Sequence, residues 1–253
     1  MTLRRPLIGS IAIVLVSLCM TLSATAAEKA RVLIYSGSTG FRHDSIPAAV
    51  EAVKAMATKA GYGVDATEDP EVFTAEKLKA YKAIVLVSTS TDPKKPESEW
   101  FVGPRRDALQ GFLKDHKGIV ALHAAGDSHY LWGWYGQMIG GYFERHPKGT
   151  PKAVVTVVDA KHPATAKLPK TIERSDEWYY FKDFNPTMRV LVTVDPATIG
   201  EGEADVNPNP VVWCHDFGGG RVFYSALGHT AESYSEPYMI NLLTGALHYA
   251  VGK

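Results

Sequence analysis

The chain has 253 residues, with 27 Lys and Arg balanced by 27 Asp and Glu, 45% apolar side chains and two cysteines. That length suits one α/β domain with a large core, and the balanced charge, without a basic run or stripe, argues against a nucleic-acid partner. Cys214 is the only cysteine beyond residue 26, so packing rather than an internal disulfide must hold the domain together.

Residues 1–26 read as a signal peptide. Arg4 and Arg5 precede an apolar core from Leu7 to Leu22, and Ala24-Thr25-Ala26 forms a small-residue cleavage site. The apolar run is short for the roughly 20 residues of a membrane span, so no permanent membrane anchor is expected. Cys19 invites lipid attachment, but Leu18 stands before it where a small residue is required. The expected product is a periplasmic or secreted domain of residues 27–253.

Arg31 to Ser36 is an apolar β-branched run read as a strand, and Ile46 to Ala60 repeats apolar residues at helical spacing until Gly61 stops it. Tyr62 to Thr67 reads as a short strand, Thr74 to Lys79 as a short helix, and Ala83 to Ser88 as a strand buried on both faces. Trp100 to His116 is amphipathic and helical, Gly118 to His123 is a second buried strand, and Leu131 to Ile139 forms a helix before Gly140-Gly141. Strands alternating with helices imply a parallel sheet with right-handed crossovers. The pattern then changes. Ala153 to Val158, Trp178 to Phe181, Val190 to Val194, Val211 to Asp216 and Val222 to Ala226 read as strands with few helices between them, hence mixed or antiparallel. Glu201 to Pro210 is a polar loop, Phe217-Gly218-Gly219-Gly220 a hairpin turn, and Pro237 to Val251 the closing helix.

Histidines stand where these strands run out: His43 after the first, His123 at the end of GIVALHAAGD, and His229 in GRVFYSALGHT. Ligands of open α/β sheets bind beyond the carboxyl ends of parallel strands, so His43, His123 and His229 are expected to converge. An imidazole ending an apolar strand needs a hydrogen-bond partner, and Asp127 is the expected one for His123. His146, in ERHP, is held in extended backbone by Pro147 and joins the set. His43 could instead cap the helix after it, and His146 or His229 could bond a main-chain carbonyl. His116, His129, His162, His215 and His248 read as structural or solvated. Neighbours on a strand face opposite sides, so of Asp176 and Glu177 one enters the pocket; Glu177 is favoured, with Tyr179 on its face. Gly37-Ser38-Thr39-Gly40 lacks the third glycine of a dinucleotide fingerprint and the lysine of a P-loop. Imidazoles with a carboxylate suit zinc, manganese or iron, but without HExxH or a compact two-histidine motif the spacing identifies no metal.

Taken together, GFRHDS at Gly40 to Ser45, LHAAGD at Leu122 to Asp127, the stretch from Trp132 to Pro147, HPATAKLP at His162 to Pro169, DEWYYF at Asp176 to Phe181 and GGGRVFYSALGHT at Gly218 to Thr230 resemble the ThuA-like, or trehalose-utilisation, family of the class I glutamine amidotransferase-like superfamily. The resemblance implies a flavodoxin-like three-layer α/β sandwich, its mainly parallel central sheet extended by mixed or antiparallel strands in the second half. It also implies a link to disaccharide metabolism. Amidotransferase relatives carry a cysteine nucleophile in the turn occupied here by LHAAGD, which has none. Cys214 and His215 face opposite sides of a strand, so glutamine hydrolysis by a thiolate is not expected.

The implied substrate is a disaccharide or glycoside, which an upstream sugar oxidoreductase could first convert to its 3-keto form. A ketone acidifies the neighbouring C–H; a histidine or Glu177 then removes that proton, with His123 and Asp127 as a base pair and His43 and His229 on the electrophilic side. Trp132, Trp134 and Tyr135 would stack on the sugar, or else pack the start of a helix. No second carboxylate stands clearly opposite Glu177 as in a two-carboxylate glycosidase. A non-catalytic carbohydrate-binding protein is the alternative, and a structural module of an exported complex the third. The sequence leaves the oligomeric state open.

Overall fold

The computed structural model describes residues 29–200 and 208–253. The stretch 1–26, expected to be a signal peptide, and residues 201–207 of the polar loop lie outside them. Eleven strands and five α-helices follow in chain order: β1 (Arg31–Tyr35), α1 (Ile46–Lys59), β2 (Gly63–Thr67), α2 (Ala75–Leu78), β3 (Ala83–Val87), α3 (Pro104–Lys114), β4 (Gly118–Leu122), α4 (Gly133–Ile139), β5 (Tyr142–Arg145), β6 (Lys152–Val157), β7 (Thr171–Ser175), β8 (Tyr180–Lys182), β9 (Arg189–Val194), β10 (Asn209–Phe217), β11 (Gly220–Ser225) and α5 (Pro237–Val251).

Nine strands form one sheet in the order β2-β1-β3-β4-β11-β10-β9-β6-β7, and β5 with β8 forms a separate ribbon. β2, β1, β3, β4 and β11 run parallel, whereas β11 to β7 alternate in direction. The expected change from parallel to antiparallel therefore falls at the β10–β11 hairpin, whose Gly218 and Gly219 both have positive φ, as its two-residue turn requires. Every residue of β3 and β4 is buried, as expected for parallel strands covered on both faces. Helices α1 and α5 pack together over the sheet, and α2 packs on α3.

Several boundaries differ from the sequence expectation for local reasons. The helix expected from Trp100 begins at Pro104, because a proline suits the first helical turn and holds the residue before it out of helix. Trp100 and Phe101 instead bury their rings against Phe73. Leu131 is exposed and α4 starts at Gly133. Asn209 and Pro210, expected in the polar loop, open β10. The strand expected from Trp178 starts at Tyr180, since Asn209 Nδ2 donates to the Tyr179 carbonyl in place of a ladder partner. β5 and β7 had no expected counterpart; both are short and largely polar.

Four of the five parallel strands, β1, β3, β4 and β11, deliver their carboxyl ends to one edge, and β4 and β11 are paired in register up to Leu122 and Ser225. Residues just beyond those ends are therefore brought together by the ladder itself.

Close packing of α5 makes a direct prediction. A Cβ on Gly245 would collide with the backbone of Pro163 and Ala164. Gly245→Ala gains helix propensity of about 1 kcal/mol, yet overpacking costs about 1–3 kcal/mol against rigid backbone. A lower urea midpoint at unchanged slope is expected; a raised midpoint would show that the loop at Pro163 yields.

Candidate functional site

His123 follows β4 with φ +49, a left-handed conformation uncommon for a residue other than glycine. Tyr224 Oη donates to its carbonyl at 2.7 Å, and the Tyr179 ring stacks on the imidazole with centroids 4.4 Å apart. Its Nδ1–H donates to the Ala226 carbonyl at 2.7 Å, which leaves Nε2 as the lone-pair nitrogen. The expected partnership with Asp127 does not form: Asp127 accepts from the Tyr130 hydroxyl instead.

Three other groups meet His123 Nε2. His43 Nε2 and His229 Nδ1 each lie 3.2 Å from it, and Glu177 Oε2 is 3.4 Å away. Glu177 Oε2 is also 3.0 Å from His229 Nδ1 and 4.0 Å from His43 Nε2. All four donor atoms fall within 4.8 Å of one another. The loops after β1, β4 and β11 supply the imidazoles, while the irregular segment between β7 and β8 supplies the carboxylate. His146 stands at the rim, with Nδ1 3.2 Å from Glu177 Oε1 and 2.7 Å from the Pro147 carbonyl.

Burial raises the Glu177 carboxyl, but the surrounding imidazoles of His123, His229 and His43 outweigh it and hold the group well below the usual carboxylate range. The His229 imidazole is raised chiefly by its hydrogen bond to Glu177, whereas burial lowers His43. Asp127 goes the other way: burial raises it, and the Tyr130 hydroxyl offsets this in part.

A cleft of about 380 Å³ opens over the cluster, lined by Phe41, His43, Asp127, Phe143, His146, Glu177, Tyr179 and His229. Its size suits a small ligand. Of the expected site residues, His43, His123, His229, Glu177, His146, Asp127 and Tyr179 gather here. Trp132, Trp134 and Tyr135 do not line the cleft. The two indoles stack on each other, Arg106 lies over Trp132, Trp134 meets Phe217, and the buried Tyr135 donates to the Ala125 carbonyl. Helix α4 aims these rings at the packing behind the sheet edge. Phe41, two-thirds exposed, and Phe143 are the aromatic walls of the cleft instead; for Phe41 the sequence signal is a Phe beside His43 in a Gly-rich turn. That turn offers no anion cradle, since the Thr39 and Gly40 N–H groups both donate to the Ser90 carbonyl. His116, His215 and His248 bond Gly219, Met138 and Tyr62, in structural roles.

Three imidazole nitrogens and a carboxylate are a donor set for zinc, manganese or iron. The fit is supported by the His123 Nδ1–H bond to the Ala226 carbonyl, which in the neutral imidazole turns a lone pair rather than an N–H toward Glu177. N–H protons or a cation have to sit among these atoms.

The cluster predicts a titration in the metal-free chain. The Glu177 carboxylate favours charged His229, so Glu177→Gln is expected to lower the His229 pKa, read from imidazole C–H resonances. An unchanged or higher value would mean that the contact is not formed in solution.

Known structures with the same architecture include a ThuA-like protein from Bacteroides uniformis, 24% identical with TM-score 0.72, covering 91% of this chain and 96% of the other. A ThuA-like protein from Parabacteroides merdae is 20% identical with TM-score 0.67, covering 89% and 91%. PurLQS from Thermotoga maritima, 13% identical with TM-score 0.57 and covering 87% and 99%, shares the fold more distantly. A search of curated proteins gave no match. The sequence model of the ThuA family, described as trehalose utilisation, matches residues 31–250, and the chain belongs to that family.

Proposed function

We propose that this protein is an exported acid–base enzyme that breaks the glycosidic link of a 3-keto disaccharide or related glycoside, with a divalent cation held by His43, His123, His229 and Glu177. The observation that carries the reading is the convergence of these four donors at the floor of a cleft whose walls hold two further proton-transfer groups, His146 and Asp127. Family membership supplies the sugar. A sugar oxidoreductase acting upstream would supply the ketone.

A cation bound there would act as a Lewis acid toward a substrate oxygen. The chain's own groups divide the remaining work. His123 is fully buried with Nδ1 committed to Ala226, so it serves as a fixed member of the electropositive floor and not as a base paired with Asp127. His146 is more open; its Nδ1–H points at the Pro147 carbonyl, leaving Nε2 to take the proton from the carbon beside the ketone. The electron pair moves onto the ketone oxygen as an enolate, over the positive floor. It then returns to form a carbon–carbon double bond as the glycosidic C–O bond breaks, and Asp127, kept toward its protonated form by burial, gives the leaving oxygen its proton. Phe41 and Phe143 can bury the C–H face of a pyranose.

Glutamine hydrolysis is not supported. Cys214, the cysteine of the described residues, is buried in β10 with its thiol pushed up to about 11 by burial, and a neutral buried thiol is a poor nucleophile. No helix among the described residues is long and apolar enough to cross a membrane.

The test is to incubate the mature chain, loaded with zinc or manganese, with 3-keto-trehalose and with trehalose. Turnover of the keto sugar alone is expected. His146→Ala should lower kcat by about 10²–10⁴-fold with the cation still bound, and His123→Ala should lose the cation. Binding of either sugar without turnover would replace this reading with that of a carbohydrate-binding protein.

A further inference from the structure

Asp176 has no solvent exposure, yet it carries a carboxylate. Its neighbour Glu177 turns into the cleft while Asp176 turns into the protein, and every partner it meets is a donor. Oδ1 accepts from the main-chain N–H groups of Glu177 at 2.9 Å and His229 at 3.0 Å. Oδ2 accepts from the Gly228 N–H at 3.0 Å and lies 3.2 Å from Arg174 Nη2. Arg174, also buried, reaches Glu236 at 3.2 Å and Ser233 at 3.2 Å, which ties the carboxylate to the residues leading into α5. A buried charge is expensive to desolvate, and replacing such pairs by apolar side chains is often neutral or stabilising. Fold stability alone is therefore a weak reason for this pair to be here.

What the pair joins gives a better one. The two irregular segments it clamps, 176–177 and 228–229, are separate in sequence and each carries one of the four donors of the cluster, Glu177 and His229. We propose that the buried Asp176–Arg174 pair is the positioning element of the site: it sets Glu177 Oε2 against His229 Nδ1 by holding the main-chain N–H of both residues on one carboxylate oxygen. The assignment deepens the reading of the four-donor cluster as a cation site and rests on it. Asp176 touches no substrate and is a positioning residue. A carboxylate is required because four donors meet it; an amide would turn an N–H toward the Gly228 N–H and the Arg174 guanidinium. The neighbouring cavity of about 610 Å³, lined partly by Arg174, Thr230 and Tyr238, does not alter this role, since Glu173, Glu232 and Glu236 also line it and oppose an anion that would compete for the guanidinium.

The test compares zinc binding by calorimetry in wild type, Asp176→Asn and Arg174→Lys, with thermal unfolding of each metal-free chain. Asp176→Asn is expected to weaken zinc about 10–100-fold, the usual cost of losing an outer partner of a metal ligand, while still unfolding cooperatively. Its crystal structure should show Glu177 Oε2 and His229 Nδ1 further apart than 3.0 Å. Wild-type affinity with the four donor atoms in place would overturn the proposal. If Asp176→Asn does not fold, Arg174→Lys decides: weakened zinc supports the proposal and unchanged zinc overturns it. Wild type that binds no cation would remove the cation reading, and the donor geometry in the variant crystal would still decide the positioning claim.

Discussion

The structure depends on one electrostatic constraint: three imidazole nitrogens and a carboxylate oxygen cannot crowd within 4.8 Å unless N–H protons or a cation sit among them. Buried lone pairs facing one another are as costly as any unsatisfied polar group. The surroundings leave little room for evasion. His123 is fixed by a main-chain carbonyl on one side and by the Tyr179 ring on its face, and its left-handed backbone is held by Tyr224. The site is thus built in advance of any ligand, which electrostatic catalysis favours because little reorganisation is left for the reaction.

The sheet explains how so local a cluster arises from distant segments. Parallel strands bring the loops after β1, β4 and β11 to one edge, and each contributes one imidazole. The carboxylate comes from the antiparallel half, through the segment between β7 and β8. The added strands therefore complete the site as well as extending the sheet. The β5–β8 ribbon has a similar use: Phe143 lies on β5 and His146 directly after it, so the ribbon builds the cleft wall opposite the loop of Phe41 and His43.

Much of this was legible from residue patterns. Continuous apolar runs located β1, β3 and β4, and the rule that ligands gather at strand ends selected His43, His123 and His229 before any geometry was known. Alternation along a strand implies that only one of Asp176 and Glu177 enters the pocket, and Glu177 does; the two diverge although the segment is irregular and held by side-chain hydrogen bonds. Other features were not legible, for physical reasons. No sequence rule shows that the His123 Nδ1–H goes to the carbonyl of Ala226 and not to Asp127, since that bond spans 103 positions. Trp132, Trp134 and Tyr135 have the composition of a sugar platform, but the direction of α4 decides what they touch. β5 and β7 lack the apolar run that marks a buried strand. Residues 1–26 and 201–207 lie outside the described structure, so export rests on the sequence.

The central claim is that His43, His123, His229 and Glu177 act on one centre. X-ray absorption at the zinc edge, on the mature chain carrying one equivalent of zinc, tests it most directly. Three imidazoles and one carboxylate oxygen in the first shell at about 2.0–2.2 Å, with loss of one imidazole in His43→Ala, are the result this account predicts. A shell of oxygen scatterers alone, unchanged by that substitution, would contradict it.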